Sequence, residues 1–244
     1  MLKLLKYDLR RRRERILVFI VIALLVQPAI WISSTKVNEQ LVSLNLVIYF
    51  ILALALVFIA VFSYFRNLKS YQRRLIPVTA LQTVMSPLLF ALLLILTVIA
   101  LGLVHFSIYQ LIYPLDFLPD NIVSVGLRCL LQFMWSAGFM MIMVMFSITV
   151  ALSLRFKWRI WVGIVILTLL QNGIAYLEKL MFNSYFIGLD NTFNFEVYES
   201  NLRPESGVTI RYLSTNQWPL VLEFVVAFIL IYSMVVMVKK RIEV

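Results

Sequence analysis

The chain has 244 residues, of which 62% are hydrophobic and only 14% charged, and its net charge is +10. A soluble domain carries about 25% charged residues, so the composition excludes an ordinary water-soluble globule and predicts a chain surrounded by lipid and other membrane helices. The single cysteine, Cys129, excludes an intrachain disulfide framework and a cysteine-rich metal site.

Residues 1–15 come first. Leu2, Leu5 and Leu9 share one helical face, with basic residues around the rest. The pattern predicts an amphipathic interfacial helix lying on the inner membrane surface. Residues 16–244 are expected to form the transmembrane domain. A hydrocarbon core of about 30 Å takes roughly 20 helical residues to cross. Six stretches are long and apolar enough: residues 16–32, 46–65, 84–106, 122–154, 160–178 and 218–238. Backbone polar groups in lipid need internal partners, and none of the six alternates as a barrel strand would, so helices are predicted. The fold class is therefore an all-α integral membrane protein with six transmembrane helices. A signal peptide is the competing reading of the first stretch, but its apolar core is long and no small-x-small site follows it.

The loop 66–78 is short and basic, and ends near Pro77. Between the fifth and sixth spans lies an outer segment, residues 179–217. Phe193, Phe195 and Val197 alternate with Asn194, Glu196 and Tyr198, and residues 208–213 favour strand as well. Asn201, Pro204 and Gly207 stand between as turn residues, which predicts a small external β-hairpin. A pair of short re-entrant helices, especially over 180–189, competes with it.

The basic residues set the orientation. Seventeen of the 22 Lys and Arg fall in the N-terminal stretch, the loops after the second and fourth spans, and the C-terminal tail; only Asp8, Glu14 and Glu243 accompany them. The opposite side has five basic and nine acidic residues. The positive-inside rule then places both termini in the cytoplasm. The positive charge marks topology and faces anionic lipid, so no nucleic-acid partner is expected.

A catalytic or metal centre finds little support. There is no phosphate-cradling glycine loop and one histidine, His105. Residues 135–138, Trp-Ser-Ala-Gly, loosely resemble a serine-nucleophile turn but lack the preceding glycine. Asp116 and Asp120 read as solvated loop residues. No bound cofactor and no enzymatic role are expected.

Polar residues inside apolar spans are the remaining candidates. Arg128, Gln132 and Ser136 recur every four residues on the fourth span. Thr168, Gln171, Asn172, Ala175 and Glu178 read as one face of the fifth. At 1.5 Å per residue, Glu223 lies about 24 Å from the inner boundary and Glu178 about 28 Å. These stripes predict either helix–helix hydrogen bonding or a lined pathway. In the pathway reading Arg128 pairs with Glu178 or Glu223 at an outer gate.

The layout resembles the ABC-2-type permease family: a basic amphipathic start, six spans, a short basic loop after the second and a large loop after the fifth. Residues 71–92 are similar to the family's block after the second span, with Leu75, Pro77, Val78 and Thr79 carrying the match and Ile76 as an extra residue. Where the family often has a lysine about ten residues after the proline, this chain has Pro87, so that lysine's role is not carried over. The resemblance implies the permease subunit of an ATP-driven exporter in a bacterial plasma membrane, of the small stand-alone kind that exports peptides. It implies two copies of a separate ATPase that binds ATP and magnesium, and a second permease chain, here expected to be identical. Arg66, Lys69, Tyr71, Arg73 and Arg74 are the candidate ATPase-coupling residues. A self-contained secondary transporter or channel, and a membrane sensor or scaffold, are the alternatives.

Overall fold

The computed structural model describes residues 2–33, 39–69, 79–112, 122–154, 158–182, 195–199, 208–212 and 218–242. It divides into two units, Met1–Pro114 and Leu115–Val244.

The first unit holds three helices: α1 (Leu2–Ser33), α2 (Glu39–Lys69) and α3 (Ala80–Ile112). Each packs on the other two. The core on α2 recurs at Leu52, Leu56, Ala60, Tyr64 and Leu68, one residue per turn, and α3, which packs on α2, buries Val84, Phe90, Ala91, Leu94 and Val98. Thr79 starts α3 with a capping box. Its Oγ1 accepts from the Gln82 amide at 3.3 Å, and Gln82 Oε1 accepts from the Thr79 amide at 3.4 Å. Thr79, one of the residues that carried the family resemblance, is thus a helix cap. Leu75, Pro77 and Val78 lie outside the described residues.

The boundary expected near Arg15 is absent. α1 runs unbroken for 32 residues, about 48 Å, so residues 2–15 continue the helix that contains the first apolar stretch and do not turn aside as an independent surface helix. The reason is visible in the packing. Leu4, Asp8, Arg12, Ile16, Ala23 and Gln27 are buried in succession along one continuous face. Leu5 and Leu9, on the face predicted to meet lipid, are only partly covered.

The second unit holds α4 (Ile122–Ser153), α5 (Arg159–Phe182), a two-stranded sheet and α6 (Trp218–Met237), which ends in a wider π turn over Val238–Ile242. α4 packs on both α5 and α6. Met141, Met143 and Met145 of α4 are buried, where a flexible thioether fills irregular gaps. β1 (Phe195–Glu199) pairs antiparallel with β2 (Val208–Tyr212), with Val197 opposite Ile210. These strands lie within the alternating segments read from the sequence; the turn residues Asn201, Pro204 and Gly207 lie outside the described residues. α5 extends to Phe182, so the start of the stretch read as re-entrant simply continues that helix.

Among the described residues, five helical stretches are long and apolar enough to cross a membrane: Leu44–Lys69, Ala80–Ile112, Val123–Ser153, Arg159–Phe182 and Trp218–Lys240. By length and composition these helices are consistent with a multi-pass membrane protein. α1 carries the first apolar stretch, residues 16–33, without a charged residue.

Candidate functional site

In the first unit the buried polar groups gather toward both ends of the helices. Asn67 Nδ2 donates to Asp8 Oδ2 at 3.5 Å. Gln27 Nε2 donates to the Asn45 carbonyl, also at 3.5 Å. The two bonds run in opposite order along the two helices, so α1 and α2 are antiparallel. Near the Gln27 end, the Tyr49 and His105 rings stand 5.7 Å apart. Gly102 lies one turn before His105, and a Cβ there would be 3.9 Å from the Tyr49 ring. His105 therefore packs against an aromatic ring, and among the described residues no group of three His, Cys, Asp or Glu is placed to hold a metal.

At the other end, Asp8 is 1% exposed, Arg12 8% and Asn67 8%. Burial lowers the Arg12 pKa from its ordinary value; Asp8 opposes this, while Arg11, Arg15 and Arg66 add to it by repulsion. Arg12 Nε, Ser63 Oγ and Ser86 Oγ are buried with no hydrogen-bond partner among the described residues. An unsatisfied buried donor costs about 1–3 kcal/mol. The sequence reading passed over all of these residues. The available signal was spacing: Asp8 and Arg12, and again Ser63 and Asn67, are four apart and share a face.

Of the proposed coupling residues, Arg66 and Lys69 are exposed on the last turns of α2, with Lys69 Nζ 4.1 Å from the centroid of the Phe65 ring. Tyr71, Arg73 and Arg74 lie outside the described residues.

In the second unit the predicted polar stripes separate. On α5, Glu178 is fully buried beside Ile174, whereas Thr168, Gln171 and Asn172 are exposed. Gln171 and Asn172 therefore do not share the Glu178 environment. Angle accounts for Asn172, which stands well round the helix from Gly163, Ile174 and Glu178; Gln171, seven residues before Glu178, shares its side of α5 and is exposed two turns earlier. A Cβ on Gly163 would lie 3.5 Å from Ala151 Cβ and 3.7 Å from the Ser147 carbonyl. Asn172 Nδ2 donates to the Thr168 carbonyl at 2.8 Å, and Thr168 Oγ1 donates to the Ile164 carbonyl at 3.0 Å. Both bonds satisfy polar atoms within the helix itself, as an apolar surrounding demands.

Glu223 on α6 is 3% exposed and accepts a hydrogen bond from Trp135 Nε1 on α4 at 2.5 Å. The Trp135 ring lies 4.0 Å from that of Phe224 and stacks on Phe139. Trp135 thus supplies both an apolar wall and a donor, a role the sequence reading missed. Its neighbour Ser136 sits inside an uninterrupted helix and is half-buried, so residues 135–138 form no nucleophile turn. Arg128 is exposed and Gln132 half-buried on α4. Gly163 packs level with the Ser147–Ala151 turn, so antiparallel progression along α5 brings Glu178 level with Trp135. Two buried carboxylates therefore reach the same height on α4.

Comparison with known protein families, with curated proteins and with solved structures gives no match.

Proposed function

We propose that this chain is the permease subunit of an ATP-driven exporter of the ABC-2 type. It would act as a six-span half in a bacterial plasma membrane, with α1 supplying the sixth span and both termini in the cytoplasm. A second copy would complete the transporter, and separate ATPase subunits carrying ATP and magnesium would supply the energy. The cargo would be hydrophobic or amphipathic, most simply a peptide.

The observation that carries this reading is the braced basic end of the first unit. Asp8 and Asn67 tie the start of α1 to the end of α2, where Arg66 and Lys69 stand exposed. A push on that end by a docked ATPase would be taken up by two helices locked together. The same force would travel along unbroken helices of 32 and 31 residues.

Glu178 and Glu223 favour a second reading, a self-contained ion-coupled transporter, because buried carboxylates in membrane helices commonly carry protons or pair with cations. Co-purification separates the two. The exporter reading expects an ATPase encoded beside this chain to be retained by it, and its hydrolysis to fall when Arg66 and Lys69 are both replaced by Gln. Failure to retain any ATPase, together with flux driven by a proton gradient alone, would sink it in favour of the second.

A further inference from the structure

The basic end of the first unit carries more positive charge than the unit can offset. Residues 1–114 contain three acids, Asp8, Glu14 and Glu39. Glu39 begins α2, at the far end of that helix from Asn67. Glu14 is exposed, and Asp8 already accepts from Asn67. Against them stand Arg12 and the three arginines whose charges act on it, Arg11, Arg15 and Arg66. A cluster of this kind calls for an anion.

The helices also bring donors to it. From the Asp8–Asn67 bond, one turn along α1 leads to Arg12, and one turn back along α2 leads to Ser63. From the Tyr49–His105 contact, 18 residues along α2 reach Asn67, and 19 residues back along α3 reach Ser86. Arg12 Nε, Ser63 Oγ and Ser86 Oγ therefore come to one end of the three helices. All three are buried without a hydrogen-bond partner among the described residues.

We propose that this end of the first unit is a binding site for a phosphate oxyanion, with Arg12, Ser63 and Ser86 as inner donors and Arg66 at its mouth. The oxyanion is the headgroup phosphate of an anionic phospholipid. Its height argues for lipid over free phosphate: Arg12 stands one turn before Ile16, where the apolar stretch of α1 begins, and so at the level of the headgroups. Guanidinium and hydroxyl donors match phosphate oxygens in number and geometry. The proposal does not depend on the transport reading.

The test uses the purified full chain in detergent, exposed to mixed micelles containing either phosphatidylglycerol or phosphatidylcholine, with retained lipid counted by native mass spectrometry. Phosphatidylglycerol is expected to be retained over phosphatidylcholine. Arg12→Gln should weaken that retention about tenfold or more, the effect of losing a charge-assisted hydrogen bond. The control Arg13→Gln, on the exposed face, should leave it unchanged. If Arg12→Gln does not fold, the double variant S63A/S86A reports on the same site without removing charge, and is expected to weaken retention as well. Equal retention of the two lipids, or no effect of Arg12→Gln and S63A/S86A, would overturn the site. Displacement of phosphatidylglycerol by millimolar inorganic phosphate, with tight phosphate binding in lipid-free detergent, would overturn the lipid source.

Discussion

Asn67, on the last turns of α2, donates a hydrogen bond to Asp8, on the second turn of α1, and both side chains are buried. The bond makes two sequence-distant polar residues into one structural joint. Asp8 also offsets the charge of buried Arg12. Asp8→Ala should therefore cost about 3 kcal/mol, because it leaves a buried cation without its carboxylate. Asp8→Asn, which keeps an acceptor oxygen, should cost less. Chemical unfolding in detergent followed by helical circular dichroism measures both, and an unchanged midpoint for Asp8→Ala would refute the joint.

Trp135 serves Glu223 as a donor and Phe224 as a ring partner. Trp135→Phe separates the roles, retaining the aromatic contact and removing the N–H. It should destabilise by about 1–3 kcal/mol, the cost of a buried acceptor losing its donor. Glu223→Gln keeps an acceptor and should be milder. Thermal unfolding in detergent gives the order of the two.

Burial of the carboxylates makes a direct chemical prediction. Glu178 is 0% exposed and Glu223 3%, whereas Glu14 is exposed. A water-soluble carbodiimide should modify Glu14 in the folded protein and spare the other two until the chain is unfolded. Peptide mass spectrometry reads the extent at each site. Modification of Glu178 as fast as Glu14 would contradict its placement inside the second unit.

The capping box at Thr79 is worth a typical cap. Thr79→Ala should cost about 1 kcal/mol, and Gln82→Ala less: each removes one of the two reciprocal bonds, but Thr79→Ala takes away the acceptor of an orphan helix N–H, whereas Gln82→Ala frees the N–H of exposed Thr79, which water can reach. The shift in melting temperature of the two variants, measured side by side, checks the order.

Gly163 marks the close approach of α5 to α4. A Cβ there would sit at ordinary contact distance from Ala151, 3.5 Å, so Gly163→Ala should be tolerated. Gly163→Leu would drive branched carbons into Ala151 and the Ser147 carbonyl, and should destabilise by about 1–3 kcal/mol, the usual cost of overpacking. Melting temperatures of the two variants make the comparison, and equal tolerance of Leu would argue against the close packing.

Much of the helix layout was legible because a long apolar run has one outcome in lipid. The stretches read at residues 46–65, 84–106, 160–178 and 218–238 fall within helices long and apolar enough to cross, and 122–154 matches another to within one residue at each end. The alternation at Phe195 and Val197 likewise falls in a paired strand. The candidate sites were less legible. Gln171, Asn172 and Glu178 were grouped by spacing, yet Glu178 is buried and the two amides are exposed. Asp8 and Arg12 looked like members of a solvated basic face and are buried.

By itself, then, the sequence determined where the apolar helices run and how unevenly the basic residues are distributed along them. Only the tertiary structure decided which side of each helix is covered. It put Arg12, Ser63 and Ser86 at one end of three helices, Trp135 beside Glu223, and Asn172 away from Glu178. The reason is physical. In a water-soluble helix the polar face marks the outside, because water rewards it. In a membrane helix lipid is as apolar as the protein interior, so hydropathy cannot tell inside from outside, and a polar residue's direction is set by the neighbour that can bond it.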